Sequence, residues 1–310
     1  MTAPTSRDPL AQPPVDDADV PAWLAALGVP GVVDIHTHFM PERLLARVWA
    51  YFDHARTHYG VDWRIRYRLP EPERLAVLRD LGVTAFAPLV YAHKPGMAPA
   101  LTEWALDFGH RTPGAVPTAA LYPEPSDGYL AAALDAGARC VKAHVQVGEY
   151  DPRDPLLDGA WGLLAEAGVP AVVHCGHGPI PGTYTGLEVF AGVLRRHPAL
   201  TVVLAHAGMP EFEVALRLVA EYPRVYLDTT MVGVPFTEAF SPVPPDWPSR
   251  LAAHADRVVF GSDFPNIPYP YATQLAAVCG WASAHPALGA RFVRDVVLHT
   301  PARLLGLSPA

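Results

Sequence analysis

From residue 32 onward the chain alternates short, almost wholly apolar runs with longer stretches whose apolar positions recur every three or four residues. The short runs cover 32–38, 83–91, 116–122, 139–145, 171–176, 201–207, 224–230 and 257–263, are rich in Val, and are mostly bounded by Gly or Pro. Continuous apolar runs of this length read as strands buried on both faces, as in a parallel sheet. The longer stretches, among them 41–56, 98–111, 128–136, 156–167, 185–197 and 211–222, carry the helical period. Eight strands alternating with helices predict an α/β protein, a closed (β/α)8 TIM barrel. Gly82, Gly137 and Gly168 fall just before strands two, four and five, where a helix C-cap takes positive φ.

The tail, 288–307, reads as further helix closing the barrel, and residues 1–30 as a loose N-terminal arm before a single domain over 31–310. Two connections are long: 39–80 after the first strand and 231–250 after the seventh. Both therefore belong to the C-terminal, catalytic face of a barrel, where long connections serve as lids or substrate walls. The alternative for 39–80 is an extra packed helix.

A length of 310 residues suits one such barrel, and 50% hydrophobic with 17% charged residues excludes a disordered chain. A net charge of −8 with no basic run argues against a nucleic-acid partner. Three scattered cysteines form no disulfide framework and fit a reducing compartment. The Pro- and Asp-bearing N-terminus lacks the apolar core of a signal peptide, and no run is long enough to span a membrane. The expectation is a cytoplasmic protein acting on a small molecule.

The histidines sharpen that expectation. His36 and His38 end the first strand, His174 the fifth, His206 the sixth, and Asp263 the eighth. Residues two apart on a strand face one side at about 7 Å, so two imidazoles of an HxH pair converge on one ion. Polar groups on four strand ends, where a barrel core prefers Val, Ile and Leu, point to one divalent metal. Imidazole with one carboxylate suits zinc and leaves a place for water; manganese, iron and cobalt accept the same donors.

The phrases DIHTHFMPE, CVKAHVQ, VPAVVHCG, VVLAHAG, VYLDTT, FGSDFP and HTPARLLGL carry a resemblance to the amidohydrolase superfamily over about 31–307. The chain is most similar to the amidohydrolase-related branch that includes aminocarboxymuconate semialdehyde decarboxylase. The resemblance implies that His36, His38, His174 and Asp263 bind the metal, with His206 an acid–base group beside them and Asp263 also able to take a proton from the activated water. It implies a hydrolase of an amide, lactone or ester; the alternative, in the same branch, is non-oxidative decarboxylation of an aromatic or unsaturated acid. A barrel that binds without catalysis is the third reading. In binuclear relatives a carboxylated Lys on strand four bridges two metals. Lys142 stands there, with His144 on the same face; in preference to a bridge, Lys142 or His144 faces substrate, or the two simply pack.

Weaker candidates complete the set. Asp34 shares the face of His36 and His38 and either orients a ligand histidine or bonds a backbone group. His177 lies in the loop after strand five, where it either touches substrate or is a solvated loop histidine. Arg64, with Arg66 and Arg68, forms a basic edge suited to a carboxylate substrate or is merely a solvated run. Gly261 leaves room for the site, and Cys175 faces the surrounding helices. The other eight histidines, His93 among them, show no ligand spacing. Homo-oligomerisation is expected from the fold's habits alone.

Overall fold

The computed structural model describes residues 8–308. Its strands are β1 (Val32–Thr37), β2 (Val83–Pro88), β3 (Thr118–Leu121), β4 (Cys140–His144), β5 (Ala171–His174), β6 (Val202–Leu204), β7 (Val225–Asp228) and β8 (Val258–Val259). All pair in parallel, β1 with β2 and β3 to β8 in sequence order. Hydrogen bonds cross both seams. Phe86 N–H donates to the Gly114 carbonyl and Val116 N–H to that of Phe86, while Ile35 N–H donates to Phe260 and Asp263 N–H to His36. The strand order is therefore cyclic, the TIM barrel expected.

The strands are shorter than the apolar runs because the chain leaves the ladder before the run ends. After β6 the backbone turns at Ala205–Gly208, with His206 at φ 55° and Ala207 at φ 47°. After β8, Asp263 takes φ 66°. His206 and Asp263 thus stand just past their strands. Gly82, Gly137 and Gly168 do take positive φ, as their positions require.

Helix Ala98–Arg111 matches its predicted span. The predicted 41–56 helix breaks at Asp53 into Glu42–Phe52 and Ala55–Tyr59, and Glu71–Asp80 follows. The 39–80 connection is therefore mostly helical. The tail runs through Gly289–Arg294, Asp295–His299 and Thr300–Leu304.

The segment expected to be a loose arm is docked from Asp17 on, and its residues 1–7 lie outside the described residues. Helix Val20–Leu27 buries Val20, Trp23, Leu24 and Leu27, and the Trp23 indole donates to the Pro9 carbonyl. Asp17 accepts from the Tyr67 hydroxyl at 2.5 Å and from Ala272 N–H. The Pro- and Asp-rich composition of the first 20 residues hides the amphipathic run that begins at their end. Burying four apolar side chains, at about 1.5–3 kcal/mol each, offsets the entropy of ordering it.

Candidate metal centre

The C-terminal ends of the strands surround a cavity of about 570 Å³ whose floor carries His36, His38, His144, His174, His206 and Asp263. His36 Nδ1 lies 2.6 Å from Asp228 Oδ2, and His38 Nδ1 lies 2.9 Å from the Leu89 carbonyl. Both acceptors fix the proton on Nδ1, so each Nε2 keeps its lone pair. Those Nε2 atoms face Asp263 Oδ1 at 3.7 Å and 2.9 Å. His36, His38 and Asp263 form a group of donor atoms within 4.8 Å of one another, all three residues buried.

The protonation states suit a cation. Burial holds His36, His144, His174 and His206 below the usual imidazole range, so they are neutral donors. Burial alone would raise Asp263. The His38 and His36 imidazoles that face it outweigh burial and hold the carboxyl well below its usual range.

His174 adjoins this group without joining it. Its Nε2 is 2.9 Å from the Gly178 carbonyl. Its ring stacks on His144 at 4.2 Å, because the two residues are partners across β4 and β5. Its centroid is 4.8 Å from that of His206. His206 rests its Nδ1 on the Thr230 carbonyl, leaving Nε2 unpaired. Lys142 is fully buried in the barrel with Nζ 3.1 Å from His36 Nε2. It faces His36 and does not line the cavity.

The carboxylate that orients the His36 ring is Asp228, on which the sequence placed no role. It was findable: VYLDTT ends β7 in the same way that the histidine runs end theirs. Asp228 Oδ1 also accepts from the Thr230 N–H and hydroxyl, at 2.9 and 2.5 Å. Asp34 takes the second of its two expected roles. It accepts from His36 N–H, from Ser262 N–H and hydroxyl, and from the Tyr271 hydroxyl, tying β1 to the segment after β8. Gly261 does leave room. A Cβ there would overlap the Asp228 carboxylate and the Thr230 hydroxyl and stand 2.7 Å from His36 Cβ. Cys175 is buried and belongs to no donor group among the described residues.

Two candidates lie off the cavity. His177 bonds Thr185 and faces Glu211, in a neighbouring hollow. Arg64 is exposed and lines no cavity among the described residues. The cation on the wall is Arg47, from helix Glu42–Phe52, and His93 also lines it.

Backbone strain gathers at the same place. Among the described residues, the non-glycine positions with positive φ are Glu149, His206, Ala207, Met231 and Asp263. All but Ala207 line the cavity. Each such residue costs about 1–3 kcal/mol, and such residues cluster at active sites.

The amidohydrolase family model matches residues 33–307, which include every floor residue. The chain belongs to the amidohydrolase family. No curated protein matches it in sequence. Solved structures share the amidohydrolase fold at low identity. An amidohydrolase from Burkholderia multivorans with bound zinc is 20% identical, covering 90% of this chain and 100% of its own, with a TM-score of 0.60. A putative 2-pyrone-4,6-dicarboxylic acid hydrolase from Pseudomonas putida is 17% identical, covering 89% and 98%, with a TM-score of 0.55. The 5-carboxyvanillate decarboxylase LigW from Sphingomonas paucimobilis is 13% identical, covering 90% and 100%, with a TM-score of 0.58. The fold is thus shared with a protein named as a putative hydrolase and with one named as a decarboxylase.

Proposed function

We propose that this amidohydrolase is a mononuclear metal-dependent hydrolase that cleaves a small-molecule amide, lactone or ester. The observation that carries the reading is the convergence of two Nε2 lone pairs and the Asp263 carboxylate at the cavity floor, with both Nδ1 protons already committed. Neutral imidazoles with one carboxylate fit a borderline-soft divalent ion, zinc before manganese, iron or cobalt. His36, His38 and Asp263 would hold it, and His174 would add a fourth donor on releasing the Gly178 carbonyl. A metal there supplies Lewis acidity and a water of lowered pKa.

The chain's own residues supply the rest. Asp263 accepts the proton of the attacking water and passes it to the leaving group. His206 keeps Nε2 free to take up a proton and, once protonated, stabilises negative charge developing on the substrate oxygen. Asp228 holds the His36 ring in its donor tautomer. Arg47, without an acidic partner among the described residues, offers a site for a substrate carboxylate.

A second reading, non-oxidative decarboxylation, is favoured by the aromatic wall that Tyr51, Phe52, Tyr59, Trp63 and Phe240 present and by the fold shared with LigW. Metal content per chain by plasma mass spectrometry, followed by screens of lactones, amides, esters and carboxylic acids, tests both. One metal with ¹⁸O from water entering the product supports the hydrolase, and CO2 release supports the second reading. A chain that takes up no metal on reconstitution overturns both and leaves the binding barrel.

A further inference from the structure

We propose that the substrate is an elongated amphiphile, with a polar reacting group at the metal centre and an apolar aryl or alkyl body running out to the cavity rim. Only the polar end rests on the metal-dependent reading.

The apolar rim carries the argument. Large hydrophobic side chains exposed among the described residues are few, and four of the seven, Tyr51, Val147, Ile180 and Phe240, lie on this one cavity, each 39–45% exposed. They come from four separate connections, after β1, β4, β5 and β7, so no single amphipathic helix explains their meeting. Scattered exposed apolar side chains are ordinary, but a convergent patch around a pocket marks a binding surface. The cavity, at about 570 Å³, is of the size that buries a drug-sized molecule rather than a single small ring. Away from its histidine-rich floor, its ionised side chains are Arg47 and Glu149.

The apolar track also continues past the mouth. A second hollow of about 470 Å³ shares Gly178, Pro179, Pro181, Met209 and Phe240 with the first. A compact acid at the floor would leave these surfaces wet. An apolar body reaching over Ile180 and Phe240 covers them.

The test is calorimetric binding of straight-chain alkyl hydroxamates, from acetohydroxamate to the ten-carbon member, to the zinc-loaded and metal-stripped protein. The expected result for the loaded protein is an affinity rising by about fourfold per methylene, the gain from burying each CH2, until the rim is passed. Phe240→Ala and Ile180→Ala, checked for unchanged circular dichroism and melting, should together lower the ratio of long-chain to short-chain affinity by about tenfold. Acetohydroxamate binding with no gain along the series overturns the amphiphile and leaves the metal centre standing. A chain-length gain that is the same with and without metal, with no acetohydroxamate binding, supports the apolar track and overturns the metal reading. No binding by any member overturns both. A dimer that dissociates on Phe240→Asp, together with a flat series, assigns the rim to a second copy and also overturns the amphiphile.

Discussion

Asp228→Asn isolates the part that the imidazole partner plays at the metal centre. In the native arrangement one carboxylate oxygen faces His36 Nδ1 at 2.6 Å and the other accepts from the Thr230 N–H at 2.9 Å. Asparagine has one acceptor and one donor end. With its oxygen toward Thr230, its NH2 faces His36 Nδ1, drives the ring proton to Nε2 and removes the lone pair a metal needs. With its oxygen toward His36, its NH2 meets the Thr230 N–H, a buried donor–donor conflict worth about 1–3 kcal/mol. Either way metal affinity should fall by about 10- to 100-fold, the range expected when the partner of a ligand histidine is lost. The assay is zinc affinity against a graded series of chelator buffers, with metal-free melting as the control for folding. Affinity within threefold of the parent would refute the reasoning. Gly261→Ala should weaken the metal from the other side, because its Cβ overlaps the same carboxylate and crowds His36.

Other outcomes follow from the same geometry. His206→Ala should abolish turnover of whichever substrate is identified while metal content stays at the parent level; retained activity would dismiss the acid–base role. His38→Ala should lose metal outright, whereas His174→Ala should bind it at least tenfold more weakly without losing it, and equal affinity for parent and His174→Ala would remove His174 from the ligand set. Deletion of residues 1–27 strips four buried side chains from the body and should lower the melting temperature by 10 °C or more, about the effect of losing several kcal/mol; an unchanged melt would return the segment to a loose arm. Burial pushes the Lys142 ammonium down to about 8, so between there and its usual value of 10.5 the unfolded chain holds the extra proton. The metal-free protein should therefore gain stability as pH rises through that window, whereas below it both states are charged and the folded chain carries the full cost. Denaturant titrations at both ends should show this slope in the parent and not in Lys142→Met.

Much of the centre was legible because its signal is local. A polar residue closing an apolar run is visible without any partner, and HxH places two rings on one face by strand geometry alone. The same logic was available for Asp228, yet a lone aspartate before two threonines reads equally well as the start of a turn. Arg64 and Arg47 show the opposite limit. Both lie in the 39–80 connection, and only the folded chain shows that Arg47, on helix Glu42–Phe52, lines the cavity while Arg64, past Ala55–Tyr59, is exposed. Trp49 and Trp63 pin that connection to Asn266, just past Asp263, a contact that no periodicity encodes.

By itself the sequence determined the strand count, the helical spacers, the glycine caps and the three donors that meet at the floor, since each follows from residue type within a window of a few positions. The tertiary structure decided what ring closure brings together. His36 meets Asp228 across 192 residues and Lys142 across 106. The left-handed turns at His206 and Asp263 are held by their surroundings rather than by local preference. The apolar rim is assembled from four connections that touch only because the barrel is closed, and long-range proximity of that kind leaves no trace in local periodicity.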